Sequence, residues 1–440
     1  MRHPFSRREF LATTAASAAA ATLAPAGLPA SFWTNAPDRI KVGLIGCGGR
    51  GTGAAVNALS ADPGAVLWAM GDTFADRVES CHANLDAHAK EQQEASETAW
   101  DGRLQVPEDR RFSGLDAWQK VIDSGVDVVL LCTTPAFRPM QLAAAVAAGK
   151  HVFCEKPVAV DAAGIRSVLA SAKLAQAKRL SLVCGFCWRY HEPEQASFAR
   201  LHEGGIGDVR SIYTTYNAGG FPDPKPRQPE WSDAEFQLRN WHYFSYFSGD
   251  HIVEQAIHAL DWMDWAMKGV PPDSVICSGG RAARPNTPET GNIFDHFAAT
   301  FEYPSGVKGF HMSRHFPNCA NDNSAYIAGT KGVFTMHPWT PSHIIEGETP
   351  WKYAGKSGDM YLSEHKVLFR SIRDADGHND GDWMARSTSL GIMARMAAYT
   401  GQSVTWKHLI ESAENMVPTI REWGSIPTPT LAVPGRSKLV

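Results

Sequence analysis

The chain has 440 residues, of which 44 % are hydrophobic and 20 % are charged, and its formal net charge is −4. This length and composition are typical of a globular protein with two or three domains. The net negative charge argues against nucleic acid or an anionic membrane surface as a partner.

The first 30 residues have the pattern of an export signal. Residues 6–11 read Ser-Arg-Arg-Glu-Phe-Leu, a twin-arginine pattern, and residues 12–23 form an alanine-rich apolar stretch that is too short to cross a membrane. Small residues at positions 24, 26 and 30 offer alternative cleavage sites. We therefore predict a twin-arginine signal peptide over residues 1–30, with export to the periplasm or otherwise through that pathway. No later stretch predicts a membrane span.

A glycine-rich turn follows the first predicted strand, at residues 40–45, and precedes a predicted helix at residues 52–59. In a dinucleotide site, the first glycine of such a turn permits the tight bend, the second lets the backbone approach the pyrophosphate, and the third allows close packing of helix on strand. The amide groups at the start of the helix face the phosphates. The turn residues predicted to contact the cofactor are Gly46, Gly48, Gly49, Arg50 and Gly51.

A carboxylate follows the second predicted strand, at residues 65–70. Asp72 lies about 20 residues beyond the last glycine of the turn, where such a side chain accepts hydrogen bonds from an adenosine ribose. The same carboxylate repels a 2′-phosphate, although Arg50 and Arg77 could offset that repulsion. The sequence therefore predicts a bound NAD, with NADP as the less favoured cofactor.

Predicted strands and helices alternate as far as residue 157. After the second strand, helices are predicted at residues 74–99, 113–124 and 139–148, and strands at residues 126–132 and 151–154. This alternation predicts a doubly wound parallel sheet, and hence a Rossmann domain over residues 38–160.

Ligands of open parallel sheets bind at the carboxyl ends of the strands. That rule selects further cofactor contacts after the later strands of this domain: Thr133, Thr134, Pro135, Phe137, Glu155 and Lys156. A lysine at position 156, close to a nicotinamide, could hold a substrate hydroxyl and lower its pKa. On position alone, a lysine in a simple surface turn is an equal alternative.

Beyond residue 161 the pattern changes to strands with few helices between them. A helix at residues 161–178 and a strand at residues 180–186 are followed by strand-like runs and by two further helices. The runs lie at residues 209–216, 274–279, 296–303, 308–314 and 324–328, and the helices at residues 252–267 and 381–399. Residues 219–239 are predicted to form a long loop. The pattern predicts an α+β domain over residues 161–430, built on an antiparallel sheet.

The helix predicted at residues 252–267 carries the second group of candidate residues. Glu254 and His258 are four residues apart and share one helix face, Asp261 joins that face, and Asp250 is placed to cap the helix. A histidine can take a hydroxyl proton near neutral pH, and a carboxylate one turn away could orient it. A purely structural pair is an equal alternative. No third ligand is evident for a metal, so we predict no metal site.

Together these motifs resemble the Gfo/Idh/MocA oxidoreductases, the family of glucose–fructose oxidoreductase and the inositol dehydrogenases. The marks of the resemblance are the glycine turn, Asp72, Thr134-Pro135, the run from Gly149 to Pro157, and the helix with Glu254 and His258. A secreted subgroup with Glu-Gln-x-x-His and Gly-Asn-Ile-x-Asp-His-Phe segments, the latter at residues 291–297 here, is similar to this chain.

The resemblance implies a Rossmann domain followed by a domain with an open-faced, mostly antiparallel sheet, with substrate bound between them. It also implies that Lys156 and His258 are the catalytic lysine and histidine. The chain departs from the family pattern in having Glu254 where aspartate is usual and Ala256 where glycine is frequent. Around Phe137 many relatives carry a histidine that this chain lacks.

These observations predict an exported NAD-dependent oxidoreductase that acts on a secondary hydroxyl of a sugar or glycoside, with C3 as one candidate carbon and with a tightly bound cofactor. His258 would act as the base, Lys156 would position and polarise the hydroxyl, and Glu254 would orient His258. Predicted substrate contacts are Arg189, Tyr190, Trp241, His242, Asp250, His251 and Asp261.

Two alternatives remain at this stage. One is a redox-neutral, NAD-dependent glycosidase that acts through a transient 3-keto sugar, and the other is a non-catalytic sugar-binding protein with a structural nucleotide. In each case the expected partner is a small carbohydrate or glycoside. An open sheet also invites self-association, so we expect a homodimer or homotetramer.

Overall fold

A parallel sheet forms the first part of the fold, as the alternating pattern predicts. The structure, a computed structural model, describes residues 38–95, 100, 102–339 and 342–440, so the predicted signal peptide at residues 1–30 lies outside the described residues. The strands are β1 (Ile40–Ile45), β2 (Ala65–Asp72), β3 (Arg111–Ser113), β4 (Val128–Leu131), β5 (His151–Cys154) and β6 (Leu182–Cys184). The accompanying helices are α1 (Gly49–Ala61), α2 (Ala75–Ala95), α3 (Ala117–Asp123), α4 (Arg138–Ala147) and α5 (Ala162–Ala177).

The strand order of this sheet is β3-β2-β1-β4-β5-β6, and every neighbouring pair is parallel. All residues of β4 and β5 are buried, as expected where helices cover both faces of a sheet. The chain order changes direction between β1 and β4. The carboxyl ends of the strands on either side of that point form the crevice in which such sheets bind ligands.

The second sheet is mixed and mostly antiparallel. Its strands are β7 (Val209–Ala218), β8 (Ser274–Gly280), β9 (His296–Glu302), β10 (Lys308–His315), β11 (Ala325–Gly329), β12 (Gly332–His337), β13 (Ser342–Gly347), β14 (Trp351–Lys352) and β15 (Val404–Thr405). Their order is β14-β13-β12-β11-β7-β10-β9-β8-β15, with β7 and β10 parallel to each other. The two sheets confirm the predicted α/β fold, whereas the domain limits at residues 38–160 and 161–430 stay a prediction.

In the described part of the chain, eight α-helices follow β6. They are α6 (Glu192–His202), α7 (Asp233–Arg239), α8 (Ser245–Ser248), α9 (His251–Glu254), α10 (Ile257–Ala266), α11 (Met360–Asp374), α12 (Gly381–Thr400) and α13 (Trp406–Glu411). Several of them, α10 and α12 among them, cover one face of this sheet. A Cβ on Gly309 of β10 would lie 2.4 Å from the Met263 sulfur, so α10 sits directly on the strand. Among the helices that the structure describes, none combines the length and apolarity needed to span a bilayer.

The opposite face of the second sheet is open and apolar. Ile276, Phe310, Tyr213 and Tyr326 lie on one register line across β8, β10, β7 and β11. The side chains of these four residues are between 36 % and 59 % exposed. This row matches the open-faced sheet that the sequence resemblance implies.

The predicted helix at residues 252–267 is broken. α9 ends at Glu254 and α10 begins at Ile257, because the amide of Ala256 donates to the carbonyl of His251, five residues earlier, and widens the turn there. Glu254 and His258 therefore do not lie on one continuous helix face. Periodicity could not show this, since the residue types in the break are ordinary helix formers.

Five helices of the second part were not expected from the sequence, namely α6, α7, α8, α11 and α13, and two of them bear on the site. Residues 219–239, predicted as a loop, end in α7, whose first turn is capped by the Ser232 hydroxyl. α11 is capped by the Asp359 carboxylate and packs on α1 of the first sheet, although it follows the second sheet in the chain. Leu368, Phe369 and Ile372 of α11 join the apolar core beneath α1.

Candidate active site

A cavity of about 1050 Å³ begins at the carboxyl ends of the first sheet and reaches the second sheet. Its first end is lined by the glycine turn, Asp72 and Arg77, and its far end by Glu254 and His258. Lys156, directly after β5, lines the wall between them. The structure thus brings the predicted cofactor residues and the predicted catalytic residues to one cavity.

The glycine turn has the shape that a dinucleotide requires. Gly46 has a φ of +100°, and a Cβ there would lie 2.6 Å from the carbonyl carbon of Cys132. A Cβ on Gly51 would lie 1.8 Å from the carbonyl oxygen of Gly46, which explains the close helix–strand packing. In contrast, a Cβ on Gly49 would meet nothing within 4 Å, so the backbone faces open space at that point.

The start of α1 is open to an anion. Gly48 is the N-cap residue and offers no side chain to the first amides of the helix, which have no partner within the helix. Free amides at a helix N-terminus bind phosphate groups. The turn and the helix start therefore fit the pyrophosphate of a dinucleotide.

Asp72 is held in place at the adenosine end of the cavity. Its carboxylate accepts hydrogen bonds from the amides of Cys47 at 2.7 Å and Phe74 at 3.0 Å. Burial raises the pKa of Asp72, and these two hydrogen bonds and the charge of Arg77 offset part of that rise. The geometry fits a carboxylate that is oriented for a ribose.

The side chain of Arg50 points to two carboxylates. Its guanidinium pairs with Glu155, and with Glu364 of α11 at 2.7 Å. Burial by itself lowers the pKa of Arg50, but the negative charges of Glu155 and Glu364 help to raise this pKa above its usual value. Arg50 and Arg77 were both predicted to be able to offset the repulsion between Asp72 and a 2′-phosphate. Because Arg50 is paired with Glu155 and Glu364, Arg77 is the arginine whose charge acts on Asp72.

Lys156 is tied to Glu254 twice. Its ammonium donates to the main-chain oxygen of Glu254 at 2.6 Å and lies 3.5 Å from the carboxylate oxygen Oε1. Burial by itself raises the pKa of Glu254, but the charges of Lys156, His242 and Arg138 and the hydrogen bond from Lys156 together bring the pKa below its usual value. The second carboxylate oxygen, Oε2, is buried and has no hydrogen-bond partner among the described residues.

His258 presents a neutral imidazole. Its Nδ1 is buried without a hydrogen-bond partner in the described structure, and its ring meets the edge of Phe186 at 6.0 Å between centroids. Burial, with a contribution from the charge of Lys156, lowers the pKa of His258 well below its usual value. Among the described residues, His258 donates no hydrogen bond to Glu254, and the Glu254 carboxylate pairs with Lys156 instead, so that its orienting role toward His258 stays a prediction.

The remaining predicted cofactor contacts divide into two groups. Thr133, Thr134, Phe137 and Glu155 line the cavity, whereas Pro135 is buried at the start of a short helical turn behind them. Gln141, on α4, accepts from the hydroxyl of Thr133 at 2.6 Å, with its amide orientation assigned from that contact.

Of the seven predicted substrate contacts, only Trp241 and His242 line the cavity. The other five side chains do not line the cavity and have internal partners, and their role as substrate contacts stays a prediction: Arg189, Tyr190, Asp250, His251 and Asp261. Arg189, for example, forms ion pairs with Asp261 at 2.8 Å and Asp264 at 3.1 Å. Sequence spacing could not separate a buried ion pair from a ligand contact, because both need the same residue types.

Several cavity residues were not found from the sequence. Trp188, Tyr216 and Trp339 line the substrate end, and Tyr361 of α11 lies beside Arg50, whose guanidinium carbon is 4.7 Å from the ring centre. Residues 419–421 line the nucleotide end. Asp359 followed by apolar residues at helical spacing was the available signal for α11, whereas the chain near residue 420 carries no recognisable motif.

Two family models match this chain. The model described as "Oxidoreductase family, NAD-binding Rossmann fold" matches residues 40–182, and the model of the GFO/IDH/MocA C-terminal domain matches residues 196–335. The first covers the glycine turn, Asp72 and Lys156. The second covers Glu254, His258 and most of the second sheet.

Curated relatives are similar over about half of the chain. Trans-1,2-dihydrobenzene-1,2-diol dehydrogenase of Mus musculus is 26 % identical over 226 residues, which is 51 % of this chain and 59 % of that protein. 2,7-anhydro-N-acetylneuraminate hydratase of Escherichia coli (strain K12) is 28 % identical over 247 residues, which is 54 % of this chain and 59 % of that protein. The chain thus spans about six tenths of the length of these relatives.

Solved structures share the fold. An aldose-aldose oxidoreductase from Caulobacter crescentus, complexed with glycerol, superposes with a TM-score of 0.63 at 20 % identity, covering 83 % of this chain and 99 % of that one. A levoglucosan dehydrogenase, in complex with NADH and levoglucosan, gives a TM-score of 0.64 at 15 % identity with the same coverage. Because the two family models together match nearly all of the first sheet, most of the second, and the segments with the glycine turn, Lys156 and His258, the chain belongs to the GFO/IDH/MocA family of oxidoreductases, with an NAD-binding Rossmann domain.

Proposed function

We propose that the protein is an exported NAD-dependent oxidoreductase that acts on a secondary hydroxyl of a sugar or glycoside. The observation that carries the proposal is that the Lys156 ammonium and the neutral imidazole of His258 line the same cavity as the glycine turn. A nicotinamide cofactor supplies the hydride acceptor or donor when it is bound in such a cavity. Every other step falls to side chains of this chain.

Lys156 positions and polarises the substrate hydroxyl. An ammonium has three donors, and Glu254 engages Lys156 through its main-chain oxygen and its carboxylate, which leaves a donor for a substrate oxygen. A positive charge at hydrogen-bond distance lowers the pKa of a hydroxyl. Glu254 keeps the ammonium aimed into the cavity and is thus a positioning residue.

His258 takes the hydroxyl proton. Because burial keeps the imidazole neutral, its lone pair is available at neutral pH. The same imidazole returns the proton when a ketone is reduced. This assignment is tested by incubating the purified mature protein with NAD and a panel of sugars and glycosides, and by identifying keto products by mass spectrometry.

Two observations support a carbohydrate as the substrate: the names of similar solved structures and the aromatic lining of the cavity. The solved structures with this fold include a levoglucosan dehydrogenase and an aldose-aldose oxidoreductase. The substrate end of the cavity is lined by Trp188, Tyr216 and Trp241, and aromatic faces pack well against the apolar CH face of a sugar ring.

We further propose that the nucleotide stays bound through many turnovers, since free NAD is scarce outside the cytoplasm. The C-terminal segment at residues 412–426, here named the strap, supports this idea. Its Trp423 stacks on Phe74 beside Asp72, with 5.6 Å between ring centroids, and the amide of Met416 donates to Asp161 at 2.7 Å. Denaturing the purified protein and identifying the released nucleotide tests the proposal directly, since an empty protein would contradict it.

A retained nucleotide favours a redox-neutral alternative. One similar protein is named a hydratase, and addition of water to a double bond is no net oxidation. In the corresponding glycosidase, oxidation at C3 would acidify the C2 proton, and the aglycone would leave by elimination with formation of a C1–C2 double bond. Water would then add across that double bond, and the stored hydride would return to C3. Release of aglycone without any added oxidant distinguishes this reaction from a simple dehydrogenation, which yields a keto sugar and reduced nucleotide.

A non-catalytic sugar-binding role is the alternative from another class. It gives no reason for a lysine, a carboxylate and a neutral histidine to share one cavity, and we therefore rank it last. Homo-oligomer formation is proposed through the open row of Ile276, Phe310, Tyr213 and Tyr326. Light scattering of the wild type and of a Tyr326→Asp variant tests this, because a charge in a buried interface lowers the assembly state.

A further inference from the structure

Trp339 stands out at the rim of the cavity. It lies in the turn between β12 and β13, and its side chain is 66 % exposed although it lines the same cavity as Lys156 and His258. A large apolar side chain left open at a cleft marks a surface that contacts a ligand.

The Trp339 indole is held in place. Its ring meets Trp188 at 5.0 Å between centroids and at an angle of 80°. The Asn323 amide, oriented so that its nitrogen donates to the carbonyl of Thr215 at 3.2 Å, accepts from the indole N–H at 3.0 Å. The ring is therefore fixed before a ligand arrives, and binding loses little side-chain entropy.

A series of aromatic contacts links this rim with the proposed base. The imidazole of His258 contacts the Phe186 ring, Trp188 follows two residues later in the chain, and Trp188 contacts Trp339. Among the ring contacts of the described residues, Trp339 pairs with Trp188, whereas His258 pairs with Phe186. We infer that a sugar ring whose hydroxyl meets Lys156 and His258 leaves Trp339 available to a further group of the ligand. A second ring, joined to the first through a glycosidic oxygen, is the group that would reach the rim.

We propose that Trp339 is a stacking platform for the second ring of a glycoside, so that the protein selects glycosides with a second ring over free monosaccharides. The inference rests on the proposed function and names its substrate class. The required chemistry is a ring with an apolar face, which the CH face of a second sugar or the plane of an aromatic aglycone provides. Asn323, beside the platform, adds a polar group at the same rim.

The test compares equilibrium binding within matched pairs of ligands. Isothermal titration of the NADH-loaded full protein uses methyl and phenyl glycosides of glucose, galactose and mannose in both anomeric forms, with the corresponding disaccharides as a third arm. We expect a phenyl glycoside or a disaccharide to bind at least about fivefold more tightly than the matched methyl glycoside. The ratio of the Kd of the methyl glycoside to the Kd of its larger partner is expected to fall to about one in Trp339→Ala. In Trp339→Phe we expect this ratio to stay above one but below the wild-type value.

The control variant is Leu174→Ala, which removes an exposed apolar side chain of α5 outside the cavity and should keep the wild-type ratio. Preference for the phenyl arm alone assigns the rim to an aromatic aglycone, and preference for the disaccharide arm alone assigns it to a second sugar. A wild-type ratio near one, no binding of any glycoside, or a ratio that survives in Trp339→Ala overturns the proposal. The proposed oxidoreductase function is judged separately, by loading the protein with NAD⁺ and measuring reduction of the nucleotide by saturating free sugars, methyl glycosides and phenyl glycosides.

Discussion

The Lys156 ammonium and the main chain of Glu254 are 2.6 Å apart, which joins the end of β5 in the first sheet to the end of α9 beside the second. The Glu254 carboxylate adds an ionic contact at 3.5 Å. The proposed polarising group is therefore fixed from across the cavity, by a residue 98 positions later in the chain.

Removal of the Lys156 charge is expected to abolish most turnover. For Lys156→Met we expect kcat to fall about 10³-fold, because the hydroxyl loses its polarising charge and proton transfer becomes unfavourable. Nucleotide affinity, measured by fluorescence titration, should change much less. A variant with wild-type kcat would contradict the assignment.

The Glu254→Gln variant tests whether Glu254 positions the Lys156 ammonium without itself taking part in proton transfer. A charge-assisted contact is worth about 1.5–3 kcal/mol, so we expect kcat to fall about 10- to 100-fold while the nucleotide Kd stays the same. Glu254→Asp should recover part of the loss, since it keeps the charge. Steady-state kinetics that show a rise in KM without a fall in kcat would speak against a positioning role.

His258→Ala tests the base. We expect turnover to fall about 10²- to 10⁴-fold while the cofactor still binds, because the imidazole takes a proton and does not lie at the nucleotide end of the cavity. Single-turnover reduction of bound nucleotide by substrate is the measurement. The matched control is His311→Gln, at a buried histidine outside the cavity, and unchanged activity of His258→Ala would remove that residue from its role.

Asp72 is predicted to set the preference for NAD. Asp72→Asn removes the negative charge that faces a 2′-phosphate and keeps one of the two oxygens that accept separately from the amides of Cys47 and Phe74. We expect the ratio of NADP to NAD affinity to rise about tenfold, and Arg77→Ala in the same background to reverse part of the gain. An unchanged ratio of NADP affinity to NAD affinity would show that Asp72 does not discriminate between the two nucleotides.

The strap is predicted to control nucleotide release. Trp423→Ala removes the ring that stacks on Phe74, and the expected result is faster dissociation of NADH, by about tenfold, in stopped-flow displacement. Trp423→Phe keeps an aromatic face and should dissociate at close to the wild-type rate. Equal rates for all three proteins would mean that the strap does not hold the nucleotide.

Buried histidines predict loss of stability in acid. Burial lowers the pKa of His151 to about 4, and burial together with the charge of His251 lowers the pKa of His311 to about 3. The unfolded chain has a histidine pKa of about 6.5 and therefore binds more protons below that pH, so the free energy of unfolding falls as pH drops from about 6.5 toward the folded values. Each such histidine adds up to about 1.4 kcal/mol per pH unit.

Urea unfolding at several pH values measures this slope. In His311→Gln the slope should decrease by the equivalent of one proton, whereas His337→Gln, at an exposed position, serves as the control. An unchanged slope in His311→Gln would contradict the link to that histidine.

The cofactor half of the site could be predicted because its signals are local. The glycine turn, Asp72 and Lys156 each follow a predicted strand directly. A residue that follows a strand of a parallel sheet lies at the carboxyl edge of that sheet, so the place of these residues could be predicted from the sequence. The substrate half depends on contacts between distant segments, and Trp339 and Tyr361 carry no motif of their own. Arg189 and Asp261 illustrate the opposite case, since residue types suited to a ligand are used in a buried ion pair.

Helix α11 has a consequence for how the protein is made. The apolar core beneath α1 includes Leu368, Phe369 and Ile372, and Arg50 of the glycine turn needs Glu364 as its second partner. A ribosome must therefore synthesise about 370 residues before the cofactor half is complete, although most of that half is encoded in the first 160. A fragment that ends after β5 would leave this core open, and transplanting the nucleotide site into another protein would require α11 to be moved with it.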